Sequence, residues 1–349
     1  MKAAVFEEFS APLVIRDVPD PACPPDGVVV RVEACGVCRS DWHAWTGADH
    51  DVSPPHVPGH EFAGLVVETG PECLRFKRGD QVTAPFIIAC GQCPDCLGGE
   101  ATICQQQYVV GFSGWGAFAE LTAIPRADYN LVALPDGMDF GEAAAMGCRL
   151  TTAFRGLVDR AKLQPGEWLA VHGCGGVGLS AVMIAAALGA QVLAIDVNPS
   201  ALVMARELGA TATLNPLDCG DTGQAVRDLT AGGAHVSIDA LGITTTFGNS
   251  IRGLRKLGRH VQIGMPLEQH AVVSLPLLET VYSRQISILG TRGIAASRFP
   301  AMLGMIAAGR LQPSKMITRK IALSSAGEAL AEMNGYSGTG ITVIDRLTA

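Results

Sequence analysis

Residues 168–196 constrain the fold of this chain more than any other stretch. Trp168-Leu-Ala-Val-His172 is a short apolar run, His172-Gly173-Cys174-Gly175-Gly176-Val177-Gly178 follows at once, and residues 177–188 are apolar nearly all round. A second apolar run, 191–195, ends in Asp196. Strand, glycine turn, buried helix and second strand make a parallel β-α-β unit. Among 41 glycines a Gly-x-Gly-x-x-Gly match means little by itself. Set between a strand and a helix, Gly173, Gly175 and Gly178 form the fingerprint of a dinucleotide site. The glycines allow a tight turn and let a pyrophosphate approach the helix N-terminus, whose free N–H groups and dipole favour an anion. Gly176 and Val177 lie in the same turn and belong to the same site. Asp196, 23 residues after Gly173, is where a carboxylate accepts hydrogen bonds from the adenosine ribose. Its charge would repel a 2′-phosphate, and no lysine or arginine follows until Arg206, so the expected cofactor is NAD rather than NADP. Cys174, at a variable fingerprint position, is expected to be a small filler.

At 349 residues the chain should form two domains. With 48% hydrophobic and 17% charged residues it can bury a large core, and its net charge of −7 argues against nucleic acid or an anionic membrane as main partner. The longest apolar stretch, 168–195, carries His172 and five glycines and is not expected to span a membrane. The first residues lack the basic start and apolar stretch of a signal peptide, so a soluble, cytoplasmic protein is expected. The first third looks β-rich, with short strands at 28–32, 63–67 and 81–84 separated by turns such as Pro24-Pro25-Asp26-Gly27 and Lys77-Arg78-Gly79-Asp80. From about residue 150 strands and helices alternate: strands at 168–172, 191–195, 235–239 and 260–263, helices at 177–188 and 199–208. A helix at 299–309 and a terminal strand at 340–345 close the chain. This pattern predicts a doubly wound α/β nucleotide-binding domain inserted into a β-rich domain, with boundaries at 1–150, 151–288 and 289–349.

Two cysteine-bearing clusters point to metal. Cys90, Cys93, Cys96 and Cys104, four of the chain's 11 cysteines, fall within one run in which Gly91, Pro94, Gly98 and Gly99 supply the turns. Two-residue gaps and a seven-residue return suit a closed tetrahedral zinc site in a lobe at about 88–106. Disulfides are the alternative; a reducing compartment favours metal. The second cluster is Cys35-Gly-Val-Cys38-Arg39-Ser40-Asp41-Trp42-His43 with Pro58-Gly59-His60-Glu61. A catalytic zinc takes three protein ligands and keeps one position open. Cys38 and His60 are candidates, and spacing does not reveal the third.

The stretches Cys38-Arg-Ser-Asp-Trp-His43, Gly59-His60-Glu61, the four-cysteine lobe, Met146-Gly147-Cys148 and Gly173-Cys-Gly-Gly-Val-Gly178, in this order, resemble the zinc-dependent medium-chain alcohol dehydrogenases over nearly the whole chain. The resemblance implies a GroES-like β-rich catalytic domain joined to a Rossmann domain, two zinc ions per chain, and NAD. It implies that Cys38, His60 and Cys148 hold the catalytic zinc, with Glu61 a neighbouring carboxylate able to approach the metal. Asp41 would orient His60, Ser40 would touch the substrate oxygen, and His43 would end a proton relay through the cofactor ribose. Arg39 would pair with the pyrophosphate, Thr152 would lie against the nicotinamide, and Ile263 and Met265 would line the cofactor. Trp42, Trp45 and Phe86 would wall the substrate pocket. The implied reaction interconverts a small alcohol with its aldehyde or ketone by hydride transfer, in a homo-oligomer, a tetramer in preference to a dimer.

Several positions depart from that family. Pro199, Ser200 and Ala201 stand where a lysine often follows the ribose-binding aspartate, and Gly340-Ile341 where many members have Gly-Arg at the pyrophosphate. Arg149 is larger than expected directly after Cys148, and nothing in the sequence accounts for it. Trp42 is bulkier than the usual aliphatic residue and is expected to narrow the substrate entrance. Cys35 is expected to pack in a strand, Cys23, Cys73 and Cys219 to be ordinary thiols, and His50, His56, His235, His260 and His270 to carry no role. Met302 and Met305 are expected in the core or at a subunit contact. A polyol, amino-alcohol or threonine dehydrogenase of the same superfamily is the near alternative. A nucleic-acid-binding zinc ribbon is disfavoured, because no lysine or arginine lies between Phe86 and Arg126.

Overall fold

A computed structural model describes residues 1–335 and 338–347. The chain divides into two compact units, Met1–Thr151 with Gly293–Ala307 and Pro313–Ala349, and Thr152–Arg292 with Ala308–Gln312. The boundary expected at 288 falls inside the strand Ser287–Gly290, which still pairs with the sheet of the second unit. The chain therefore leaves that unit only after Arg292, and Ala308–Gln312 returns to it.

The second unit is built on a six-stranded sheet in the order Ala212–Leu214, Gln191–Ile195, Trp168–His172, Ala234–Asp239, Leu254–Gln262, Ser287–Gly290, and every neighbouring pair is parallel. This is the doubly wound order. The chain runs outward in one direction from Trp168–His172, then returns to start the other half at Ala234–Asp239, so a crevice opens at the carboxyl ends of these two strands. The helix Gly176–Ala187 is buried along most of its length because its residues are apolar on every face. Two further helices lie outside the strands and helices that the sequence suggested. Thr222–Leu229 is capped by Asp221, whose side chain accepts from Gln224 N. Thr244–Gly253 starts with three threonines, poor helix formers, and is fixed by packing; Ser250 bonds Ser237 on the sheet, and Phe247 lies edge-on to His260.

The first unit centres on a seven-stranded, mostly antiparallel sheet. Its spine is Val28–Val37, paired along one edge with Glu61–Thr69. The other edge is shared: residues 28–31 pair with Leu121–Ile124, and residues 35–37 with the C-terminal strand Ile341–Arg346. Both of these paired strands are longer than their apolar runs suggested, since Cys35 and Gly36 pair with neighbours on each side and Val37 pairs with Thr342. The register Gly36↔Glu61 brings the end of one strand beside the start of the other. That crossing carries the site described next.

Candidate active site

Cys38 directly follows the spine strand Val28–Val37 and caps the helix Arg39–Thr46. Its backbone N–H donates to Asp41 Oδ2 at 2.9 Å, the third-residue carboxylate of a capping arrangement. Asp41 is fully buried, and its other oxygen accepts from Gly59 N at 3.0 Å and faces His60 Nδ1 at 2.8 Å. One carboxylate thus ties the segment holding Cys38 to the segment holding His60. Because Nδ1 is engaged with Asp41, His60 Nε2 points the other way, and this buried nitrogen has no hydrogen-bond partner. Around it stand Cys38 Sγ, Cys148 Sγ and a Glu61 oxygen, the donor atoms of all four residues lying within 4.8 Å of one another. Cys148 opens the helix Cys148–Phe154.

The electrostatics suit a cation. The hydrogen bond from the Cys148 thiol holds the Cys38 thiol well below the usual range against its burial, while the same bond and burial push Cys148 well above it. Burial opposes a charged His60, yet the charge and hydrogen bond of Asp41 carry its ring well above the ordinary value. These shifts describe donors sharing protons that a metal ion would displace. The orphaned Nε2 and two convergent sulfurs fit a zinc ion with one position left over.

Glu61 is fully paired rather than free. Arg149 Nε and backbone N donate to its Oε1 at 3.1 and 3.2 Å, and Arg149 Nη2 donates to its Oε2. Both side chains are buried. Breaking such a pair from one side leaves a buried charge and costs about 3–5 kcal/mol. The residue that had no account in the sequence is therefore the counter-ion of the carboxylate beside the metal donors.

The four-cysteine lobe is a second, closed set. Cys93 and Cys96 sulfurs are 3.5 Å apart, Cys90 and Cys96 3.9 Å, Cys93 and Cys104 4.0 Å. A tetrahedral Zn–S shell with bonds of about 2.3 Å sets its sulfurs about 3.8 Å apart. All of these cysteines are unbridged. Backbone N–H groups of Cys90, Cys93 and Gln106 point at the sulfurs at 3.2–3.3 Å, as they would at thiolates. The buried set of the lobe is chiefly cysteine and alanine, so a metal would replace the missing core.

In the second unit the fingerprint forms a cradle at the crevice. A Cβ on Gly178 would lie 1.8 Å from Gly173 O, and one on Gly173, at φ +92°, 2.0 Å from Leu241 Cδ1. A Cβ on Gly175 would meet nothing within 4 Å. Two glycines are thus demanded by packing, and the third keeps open the space before the helix starting at Gly176. That helix has no side-chain cap, which leaves its first N–H groups for an anion. Asp196 accepts from Cys174 N at 2.6 Å and Asn198 N at 2.7 Å, which fixes the carboxylate at the lip. Cys174 Sγ is buried against Ile195 O, in keeping with a filler. The residues present fit a dinucleotide.

Comparison with known proteins decides the family. The "Alcohol dehydrogenase GroES-like domain" pattern matches residues 24–136 and the "Zinc-binding dehydrogenase" pattern residues 176–308. An alcohol dehydrogenase of Geobacillus stearothermophilus is 38% identical over 299 residues, 84% of this chain and 86% of that one. The chain belongs to the zinc-dependent medium-chain alcohol dehydrogenases. Alcohol dehydrogenase TADH from Thermus sp. ATN1 superposes with a TM-score of 0.90 at 31% identity over 99% of both chains. A chain of the zinc-binding dehydrogenase type from Sinorhizobium meliloti 1021, bound to NADP, superposes at 0.86 with 28% identity over 98% of each. The protein is an oxidoreductase with the GroES-like and Rossmann parts of that family.

Within this alcohol dehydrogenase frame the remaining residues take definite places. Ser40 Oγ lies 3.9 Å from Cys38 Sγ. His43 stands one turn further along the same helix, and its buried Nδ1 has no partner. Burial, followed by the nearby Arg39 charge, holds the His43 ring below its ordinary value. Phe86 lies edge-on to His60 at 5.8 Å, and so does Phe112 at 5.3 Å, a wall residue that sequence reading missed because it sits in an unpatterned loop. Trp45 is in the hydrophobic core, its indole donating to Ala11 O at 2.6 Å. Trp42 is a platform: Arg39 sits 3.8 Å over its ring, and its indole N–H donates to Asn334 Oδ1 at 2.7 Å. Arg39 also donates to Met333 O. Thr152 is buried where the second unit begins, and Ile263 and Met265 follow the carboxyl end of Leu254–Gln262. Met265 backbone packs so closely on Gly242 that a Cβ there would come within 2.5 Å.

The histidines without expected roles are mostly fastened to neighbours. His56 Nε2 bonds Gly111 O at 2.8 Å and His260 Nδ1 bonds Ser250 Oγ at 2.7 Å. Cys35 and Met302 are fully buried.

Proposed function

We propose that the protein interconverts a small alcohol and its aldehyde or ketone with NAD, using one zinc at Cys38, His60 and Cys148 and a second, non-catalytic zinc at Cys90, Cys93, Cys96 and Cys104. The observation that carries this reading is the orphaned His60 Nε2 converging with two sulfurs beside a carboxylate already neutralised by Arg149. When bound, zinc supplies a Lewis acid for the substrate oxygen, and the nicotinamide takes or gives the hydride. Cys38, His60 and Cys148 orient that ion, and Asp41 orients His60. Ser40, on the first turn of its helix, is the hydroxyl that accepts the proton of the alcohol. His43, held below its ordinary value by burial, is the group on the same helix that would take the proton on toward water. Phe86 and Phe112 exclude water around His60. Arg39, braced on Trp42, supplies the positive charge for the pyrophosphate, and Thr152, Ile263 and Met265 take the nicotinamide side.

NAD in preference to NADP is supported by Asp196, held in place by two backbone N–H groups, where a 2′-phosphate would need a cation. Cys148 as third donor favours simple alcohols over the polyol, amino-alcohol and threonine substrates of the wider superfamily. Self-association is part of the proposal. Edge strand Ser287–Gly290 has one side unpaired among the described residues, and Leu277, Leu278, Tyr282 and Ile288 are exposed on the same unit. Leu97 and Ile103 of the lobe are exposed on the other. Two separate apolar patches supply the two interfaces of a tetramer. A cytoplasmic location is part of the proposal, supported by two clusters of unbridged thiols suited to a reducing compartment. No helix among the described residues is long and apolar enough to cross a membrane, and the substrate proposed is a small molecule rather than nucleic acid or lipid.

The test is a panel of primary and secondary alcohols and their carbonyl products, followed at 340 nm with NAD and NADP, alongside metal content per chain. Two zincs and a preference for NAD support the reading. Turnover of no simple alcohol or carbonyl by zinc-replete protein overturns the substrate class.

A further inference from the structure

The buried Arg149 touches more than Glu61. Its Nη1 donates to Val37 O at 3.0 Å, while Nε, Nη2 and the backbone N hold both oxygens of Glu61. Val37 precedes Cys38, Glu61 follows His60, and Arg149 itself follows Cys148. This side chain thus bonds the residues next to Cys38 and His60 and is itself the residue next to Cys148, so it links the three segments that carry the donors.

The surrounding backbone is shaped for the pair. A Cβ on Gly36 would stand 2.4 Å from Glu61 Oε2 and 2.8 Å from Arg149 Nη2. A Cβ on Gly147 would stand 2.4–2.6 Å from Glu61 side-chain carbons. Neither glycine has a positive φ, and at both the space a Cβ would need is taken by the Glu61–Arg149 pair. Gly36 also lies opposite Val343 of the C-terminal strand, which closes the other side.

Glu61 is close enough to the sulfurs and His60 to be a ligand in its own right. Two thiolates already cancel the charge of a zinc ion. A carboxylate added to them would weaken its pull on a substrate oxygen and occupy the position that oxygen needs. We propose that Arg149 is a positioning residue that locks Glu61 outside the metal's coordination sphere and keeps the fourth position open, while strapping together the three segments that carry the ligands. This rests on the reading of Cys38, His60 and Cys148 as the catalytic zinc site.

Cobalt(II) in that site gives the test, because its visible spectrum reports coordination and imidazole reports an open position. Wild-type protein, Arg149→Met, Arg149→Lys and the double variant Glu61→Gln/Arg149→Met are compared for cobalt spectrum, imidazole affinity and rate of metal loss to a chelator. In Arg149→Met the spectrum changes and imidazole binds at least about tenfold more weakly, because Glu61 fills the vacant place. In the double variant, which has no carboxylate to bind and no unpaired buried charge, imidazole affinity returns to within about threefold of wild type. Arg149→Lys keeps the charge without the fork and falls between the two. A folded Arg149→Met with the wild-type spectrum and imidazole affinity overturns the proposal. So does a loss that the double variant fails to recover, since that would mark a merely structural role; if Arg149→Met does not fold, the double variant decides by the same measure. A wild-type protein that takes no cobalt beyond the lobe sinks the metal reading itself, a result distinct from either of these.

Discussion

The two sulfur-rich clusters of the first unit are built from similar parts and do opposite things. In the lobe, four thiols from one short run meet without a gap, and backbone N–H groups cover their sulfurs. In the other, two thiols and a histidine come from three separate segments, with a carboxylate and its guanidinium partner beside them. A closed set of four thiolates can only hold chain together. Three donors with a paired carboxylate leave one face of a metal to a substrate. The difference lies in where the fourth donor goes. In the lobe the fourth donor is another thiol that would go to the metal, whereas in the second cluster it is a carboxylate tied to Arg149.

Substitutions at equivalent places in the two clusters should separate these roles. The largest effect is expected for Cys148→Ser, which should lower kcat/KM by more than about 100-fold in a folded protein that retains the lobe's zinc, as 340 nm kinetics and metal analysis would show. Equal loss of both metals would break the distinction. Asp41→Asn should cost about 10–100-fold in activity or metal affinity, because Asp41 fixes both the ring of His60 and the backbone of Cys38.

For the lobe the loss should appear in stability. Cys104→Ser is expected to cost a few kcal/mol and to lower the melting temperature by about 5–10 °C, with turnover per folded molecule nearly intact. Calorimetry beside kinetics reads both; a fall in turnover with unchanged melting would reverse the assignment. His43 gives a smaller effect with a defined sign. Its ring titrates below the ordinary 6.5, and the neutral form takes the proton, so alcohol oxidation should fall as pH drops through that lowered value. In His43→Ala this acid limb should flatten. Smallest is Arg39→Ala, expected to raise the KM for NAD severalfold, up to about tenfold.

Much of the lobe was legible in the sequence because its ligands lie within one turn-rich segment, where spacing nearly dictates geometry. The central β-α-β unit was legible for the same reason: strand, turn and helix are contiguous, and the observed strands Trp168–His172 and Gln191–Ile195 begin and end where the apolar runs do. Helix Thr244–Gly253 was not, since its threonines carry no helical preference and only packing on the sheet selects its conformation. Phe112 stayed hidden in a loop without periodicity. The second unit runs on to Arg292 because its edge strand Ser287–Gly290 pairs through backbone bonds that leave little trace in residue type.

By itself, then, the sequence determined the local sites: four thiols spaced for one ion, a glycine turn between strand and helix, and an aspartate at the end of the next strand. The tertiary structure alone decided what depends on register and crossing. Pairing Gly36 with Glu61 brought Cys38 beside His60, and the start of the helix Cys148–Phe154 brought Cys148 to both. It also turned an unexplained arginine into the partner of Glu61. Short-range geometry follows from residue type and spacing, whereas the meeting of segments that are separate in sequence is set by sheet register and packing.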